Sequence, residues 1–242
     1  MRDQFELFVH EEGAGRPLIL LHGGLANHRS VMAYAQPLVA RMRVIAPDLR
    51  GSGRSVFHGA LTWDLLADDI AELARMRGIV RAVVGGASFG AAVATRVALR
   101  HPGLVERLVV LAPAFDGVAL GEAQRAAMDA MAAAGERALV EGVGALLPLF
   151  DRLPAAIRER AKQVVAGYDP ASAATSTRFM ASGVQPFGPG ELARLEMPVI
   201  VVPGRDAEHP RAVADVYRAA PHATIVDADD WAAAIRVWLD GD

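Results

Sequence analysis

The chain has no cysteine among its 242 residues. That absence excludes disulfides, thiolate nucleophiles and cysteine-based metal sites together. It also lacks any uninterrupted apolar run approaching the ~20 residues of a membrane-spanning helix, although 52% of its residues are hydrophobic and the mean hydropathy is +0.24. The apolar content therefore reads as core, and the length suits one α/β domain with an insertion rather than two full domains. No basic stripe is present: 25 Lys+Arg are interspersed with 28 Asp+Glu for a net charge of -3. This argues against nucleic acid or a membrane as partner and for a small neutral or apolar substrate. The opening residues, Met1-Arg2-Asp3-Gln4-Phe5-Glu6, contain acidic side chains and no apolar h-region, so no signal peptide is read and a cytoplasmic protein is expected. Neither a phosphate-binding glycine loop nor a clustered ligand set is found, so no cofactor and no metal are expected. Oligomeric state is not legible in the chain.

Residues 5–10 alternate apolar and polar side chains and predict an opening edge strand before a turn at 12–15. Residues 17–21 are a continuous apolar run of the kind that a strand buried on both faces requires, and further strands are predicted at 42–46, 81–85, 108–113, 198–202 and 223–226. Helices fall between them. One begins at Thr62 as N-cap, carries Leu65, Leu66, Ile70 and Leu73 on one face and ends at Gly78; another follows residue 88 and stops at His101-Pro102-Gly103. Pro210 opens a helix through Arg218, and Trp231, Ile235, Trp238 and Leu239 mark the last one at i, i+4, i+7 and i+8. Strand alternating with helix predicts an α/β fold with a mostly parallel, doubly wound sheet. Residues 117–190 depart from that rhythm. Helical segments at 121–134, 136–147, 154–166 and 170–182 follow one another without a strand, closing on the Pro186-Phe187-Gly188-Pro189-Gly190 linker. Phe115, Phe150, Tyr168, Phe179, Met180 and Phe187 are candidate pocket-wall or core residues that sequence does not divide.

The most informative stretch is Val83-Val84-Gly85-Gly86-Ala87-Ser88-Phe89-Gly90-Ala91, where a strand runs into a small-residue helix through a sharp turn. Ser88 falls at the turn, its hydroxyl above the sheet at the positive end of the helix, while Gly86 and Gly90 remove Cβ atoms that would collide as strand and helix close. This stretch resembles the nucleophile elbow of the α/β-hydrolase family. Two further motifs carry the same resemblance: His22-Gly23-Gly24-Leu25 after the second strand, and Asp48-Leu49-Arg50-Gly51-Ser52-Gly53-Arg54-Ser55 after the third. The resemblance implies a nucleophile at Ser88, oxyanion-hole amides at Gly24 and Phe89, and a catalytic acid at Asp206 in the turn after residues 198–202. It implies a core domain of 1–116 and 191–242, with 117–190 as a helical cap over the site. The 48–55 turn is read as structural, tied together by Asp48 and Arg50. His22 is read as bracing its loop, His28 as a solvated loop residue and His101 as a helix-end residue.

In one place the sequence departs from the family. The family's general base is a histidine between the last strand and last helix, and here that connection is Asp227-Ala228-Asp229-Asp230. A serine hydroxyl needs an adjacent base to attack at neutral pH. His222 precedes the last strand and so sits at the sheet's amino edge, about 13–17 Å from the carboxyl edge at ~3.3 Å per residue. His209 follows a strand that ends at the right edge, two strand spacings from Ser88, a gap of roughly 10 Å that a loop and an imidazole can span. The expected base is therefore His209, oriented by Asp206 or, as understudy, by Asp116. Three readings stay open at this point: a serine-dependent hydrolase of a small ester, lactone or thioester acting through an acyl-enzyme; a non-hydrolytic lyase or cyclase on the same fold; and a catalytically degenerate ligand-binding protein.

Overall fold

The computed structural model describes residues 5–151 and 155–241. Among them, β1 (Val9–Glu12), β2 (Arg16–Leu21), β3 (Met42–Pro47), β4 (Ala82–Ala87), β5 (Val105–Leu111), β6 (Val199–Val202) and β7 (Ala223–Ile225) form one sheet in the order β1-β3-β2-β4-β5-β6-β7. Only β1 runs antiparallel to its neighbour; the other pairings are parallel. The apolar runs sort by alternation. Ile19, Leu21, Val84, Leu108, Val110, Val199 and Val201 face one cluster, and Leu18, Leu20, Val83, Val109, Leu111, Ile200 and Val202 face the other. Both faces are thus core. Helices α2 (Trp63–Met76) and α3 (Phe89–Arg100) cover the first, while α1 (His28–Ala35) and α8 (Trp231–Asp240) cover the second. The remaining helices are α4 (Glu122–Glu141), α5 (Ala155–Val165), α6 (Pro170–Ala181) and the short α7 (Arg211–Asp215). No helix among the described residues is long and apolar enough to cross a membrane.

The opening strand begins four residues later than the alternation predicts, at Val9. The reason is competition from the 48–55 turn: the Phe8 amide donates to Ser55 Oγ at 2.9 Å, and the guanidinium groups of Arg50 and Arg54 lie 3.9 Å over the rings of Phe5 and Phe8. Within that turn Asp48 is fully buried and accepts from the amides of His28 and Arg54, both at 2.8 Å. Arg50 carries the tie outward: its fork binds Asp69 of α2 at 2.7 and 2.6 Å, which joins the turn to a helix. His28 is buried at the start of α1, its Nδ1 2.8 Å from Asp48 Oδ1, and is not the solvated loop residue expected.

A second correction concerns residues 121–147. The expected break near Gly135 is absent, and α4 runs unbroken to Glu141, where Gly142 at φ 82 ends it and a 3-10 turn over Val143–Phe150 follows. Gly135 is a contact, not a stop: a Cβ there would overlap Thr177 Oγ1 of α6 and sit 3.2 Å from the Ala174 Cα. The residue lets two helices approach at backbone distance. The segment expected from 154 begins at Ala155 as described, residue 154 itself lying outside the described residues.

Gly135→Ala should therefore destabilise the fold by about 1–3 kcal/mol through overpacking. Gly103→Ala, where nothing lies within 4 Å of the added carbon, should change stability by less than about 0.5 kcal/mol. Urea unfolding of the two variants checks the contrast.

Candidate active site

Among the described residues, three other than glycine have a left-handed φ: Leu25 at 49°, Ser88 at 54° and Ala112 at 42°. They follow β2, β4 and β5, three neighbouring strands, at their carboxyl ends. Strain gathered in one place marks a site whose geometry the surroundings enforce. At Ser88 the enforcing contacts are explicit. A Cβ on Gly86 would overlap the Gly90 backbone, and one on Gly90 would overlap the Leu21 carbonyl at the end of β2. The collision expected between strand and helix is thus two collisions, with α3 wedged against β4 and β2 at once. The Ser88 amide donates to Leu111 O at 2.9 Å, which fixes the elbow to β5 as well.

Beside the elbow, a Cβ on Gly23 would stand 3.6 Å from Ser88 Cβ, and one on Gly24 4.0 Å from Phe89 Cβ and 2.6 Å from the Met180 sulfur. Gly24 and Phe89 therefore adjoin. Phe89 opens α3, so its amide has no carbonyl partner inside the helix and lies at the positive end of its dipole. His22 shapes this loop: Nδ1–H donates to Gly23 O at 2.7 Å and Nε2 accepts from the Leu49 amide at 3.0 Å. Both ring nitrogens are used, in the neutral tautomer that these partners select. Tyr168, between α5 and α6, adds a further tie, its hydroxyl donating to Ala26 O at 2.6 Å, and burial holds that hydroxyl protonated by pushing its pKa up.

The loop between β6 and α7 completes the arrangement. His209 Nε2 lies 2.8 Å from Ser88 Oγ, and His209 Nδ1 lies 2.8 Å from Asp206 Oδ1. An ionised carboxylate can only accept, so Nδ1 carries the proton and Nε2 is left to accept from the serine hydroxyl. The same Asp206 oxygen takes the amides of Glu208 and His209, both at 2.9 Å, and so holds the loop and the ring together. The Asp206 side chain is 63% exposed and that of His209 18%. Gly204 makes the fold-back possible, since a Cβ there would overlap the His209 Cβ. His222 stands at the opposite edge, exposed, its carbonyl accepting from Val199 at the start of β6. Asp116, the understudy acid, is engaged elsewhere: it accepts from the amides of Val118 at 2.8 Å and Ala119 at 2.9 Å and caps its own turn.

A cavity of about 240 Å³ opens above Ser88, bounded by Gly23, Gly24, Phe89, Phe115, Met180, Glu208 and His209. Gln124, Ala127, Met128 and Met131 of α4 supply another wall. Their i, i+3, i+4, i+7 spacing is a signal present in the sequence, but nothing there says what that helix face meets. The undivided aromatics now separate. Phe115 and Met180 line the cavity, Phe179 packs on Trp63 at 4.9 Å between ring centroids, and Phe187 packs on Tyr217 at 5.9 Å. Tyr168 is buried beneath its bond to Ala26, and Phe150 is half-buried against the core. Among the described residues no three potential metal ligands converge.

Residues 16–158 match the profile of the alpha/beta hydrolase fold family, and the chain belongs to that family. The AB hydrolase superfamily protein YisY of Bacillus subtilis is 39% identical over 116 residues, 45% of this chain and 43% of that protein. The sn-1-specific diacylglycerol lipase ABHD11 of Danio rerio is 36% identical over 102 residues, 41% of this chain and 32% of the lipase. The matched stretch thus spans less than half the length of these curated relatives. Among solved structures, a thermophilic esterase from Thermogutta terrifontis is 25% identical with a TM-score of 0.80, over 97% of this chain and 93% of that one. The enol-lactonase from Burkholderia xenovorans, 19% identical, shares the fold with a TM-score of 0.75 over 96% of this chain and 92% of that one.

Burial holds the His22 pKa below its ordinary value of 6.5. The unfolded imidazole takes up a proton near 6.5 while the folded one does not, so this group's share of the stability is complete above that pH and is lost as the pH falls through it towards the depressed folded value. Long-range nitrogen–proton NMR should accordingly find His22 as the neutral Nδ1–H tautomer at pH values just below 6.5. A doubly protonated ring there would contradict the assignment.

Proposed function

We propose that this chain is a serine-dependent hydrolase of a small neutral or apolar ester, lactone or thioester, working through an acyl-enzyme. The observation that carries the reading is the linked contact Ser88–His209–Asp206, with 2.8 Å at each step. In this mechanism Ser88 Oγ attacks the substrate carbonyl as its proton passes to His209 Nε2, and Asp206 stabilises the imidazolium through Nδ1–H. The tetrahedral oxyanion is received by the amides of Gly24 and Phe89. Each pre-oriented donor of this kind is worth about 3 kcal/mol to the transition state, because it is aimed before the charge develops. His209 then protonates the leaving group, and a water activated by the same imidazole releases the acid and regenerates Ser88.

The pocket's composition supports the substrate class. Three methionines and two phenylalanines line it, and thioether side chains adapt to more than one acyl shape. A cavity of about 240 Å³ falls below the usual range for ligand sites, which suits a short acyl group. We assign residues 117–190 the role of a cap on a core of 1–116 and 191–242, on the ground that α4 and α6 contribute walls above Ser88. The serine reading is favoured over the lyase and binding alternatives because the hydroxyl is already hydrogen-bonded to a base.

A fluorophosphonate probe should label the wild-type chain quickly and leave Ser88→Ala unlabelled. Hydrolysis of p-nitrophenyl esters should vanish in Ser88→Ala and fall at least ~10²-fold in His209→Ala, with the unfolding midpoints of both near wild type. Undiminished turnover in the serine variant would end the acyl-enzyme reading.

A further inference from the structure

We infer that Glu208 is a charge filter at the Ser88 pocket, disfavouring substrates whose acyl chain bears a carboxylate. The inference rests on the hydrolase reading above and narrows its substrate class. Among the described residues Glu208 is the one carboxylate lining the cavity, and no lysine or arginine among them lines it. Its side chain is exposed, and its contact with Asp206 is made by the backbone amide at 2.9 Å, so the carboxylate itself takes no part in holding the loop.

The nearby cations are committed elsewhere. Arg205 pairs with Asp229, Arg211 pairs with Asp227, and Arg125, next in the chain to the pocket residue Gln124, donates to Ala181 O at 3.0 Å. Among the described residues Glu208 has no ion-pair partner, and Asp206, two positions back, adds a second negative group to the same loop. The facing wall is made of Ala114, Phe115, Met128, Met131 and Met180. Apolar walls polarise little, so the part of this exposed charge's field that enters the cavity is dispersed less there than in bulk solvent. A neutral acyl chain meets only the apolar wall. A carboxylate-bearing chain meets repulsion and finds no guanidinium or ammonium with which to pair.

The test compares p-nitrophenyl hexanoate with mono-p-nitrophenyl adipate, which share chain length and leaving group and differ by one terminal carboxylate. Wild type should favour the hexanoate. Glu208→Gln should raise the adipate-to-hexanoate ratio of kcat/KM by about tenfold at low ionic strength, Glu208→Lys should raise it further, and about 0.5 M salt should shrink the difference between wild type and variants. Using the ratio separates the filter from any change in His209, because an altered base acts on both esters alike. A ratio unmoved by either substitution, in a chain that turns over the hexanoate, overturns the filter alone. A wild-type chain that hydrolyses neither ester and resists phosphonylation sinks the hydrolase reading, and the filter with it.

Discussion

The approach of α3 to the ends of β4 and β2, too close for a single methyl group at residue 86 or 90, is the constraint on which the rest depends. It holds Ser88 at a φ that an L-residue adopts only under compulsion. It also turns the first free amides of α3 towards the same point as the hydroxyl. One steric condition therefore sets both the position of the candidate nucleophile and the positive potential around it. The strands beneath it are buried on both faces, and a core packed to that extent has little room to relax. Relief of the strain at residue 88 would require moving the sheet.

Around that fixed point the loops are stitched to one another more than to solvent. His22 links the Gly23–Gly24 loop to Leu49, Asp48 links the following turn to α1, and Arg50 links it onward to α2. The segment between β5 and β6 joins the same set through Tyr168 to Ala26, Ser176 Oγ to Gly51 O at 2.6 Å, and Trp63 Nε1 to Val184 O at 2.9 Å. Such buried and part-buried hydrogen bonds hold geometry because breaking one leaves a polar group without a partner. The walls of the cavity, by contrast, are thioethers and rings that can adjust. Rigid donors with adaptable walls suit chemistry that is fixed at the carbonyl and tolerant along the chain.

Much of this was legible in the residues, and the exceptions share a cause. The strands could be read because burial on both faces forces near-continuous apolar runs, and the elbow because its small residues answer to a steric need. The nearness of His209 to Ser88 could be derived from which edge of a parallel sheet each loop must occupy. What failed were inferences about partners. Gly135 looked like a helix break because sequence shows the missing side chain but not the α6 backbone that takes its place. Residues 5–8 alternate like a strand, yet the arginines of the 48–55 turn claim them. Asp116 was a plausible acid until its own turn supplied two amides. Likewise the face of α4 bearing Met128 and Met131 was visible as a face, while its destination above Ser88 was not.

The placement of His209 and Asp206 has a consequence for how this protein can change. Both sit within four residues of one loop, so β7 and α8 supply neither the imidazole that contacts Ser88 nor the carboxylate that contacts that imidazole. His209 and Asp206 thus form a single short cassette. A graft of residues 203–210 onto a related sheet would transfer the pair already oriented, with Gly204 included so that the imidazole can fold back.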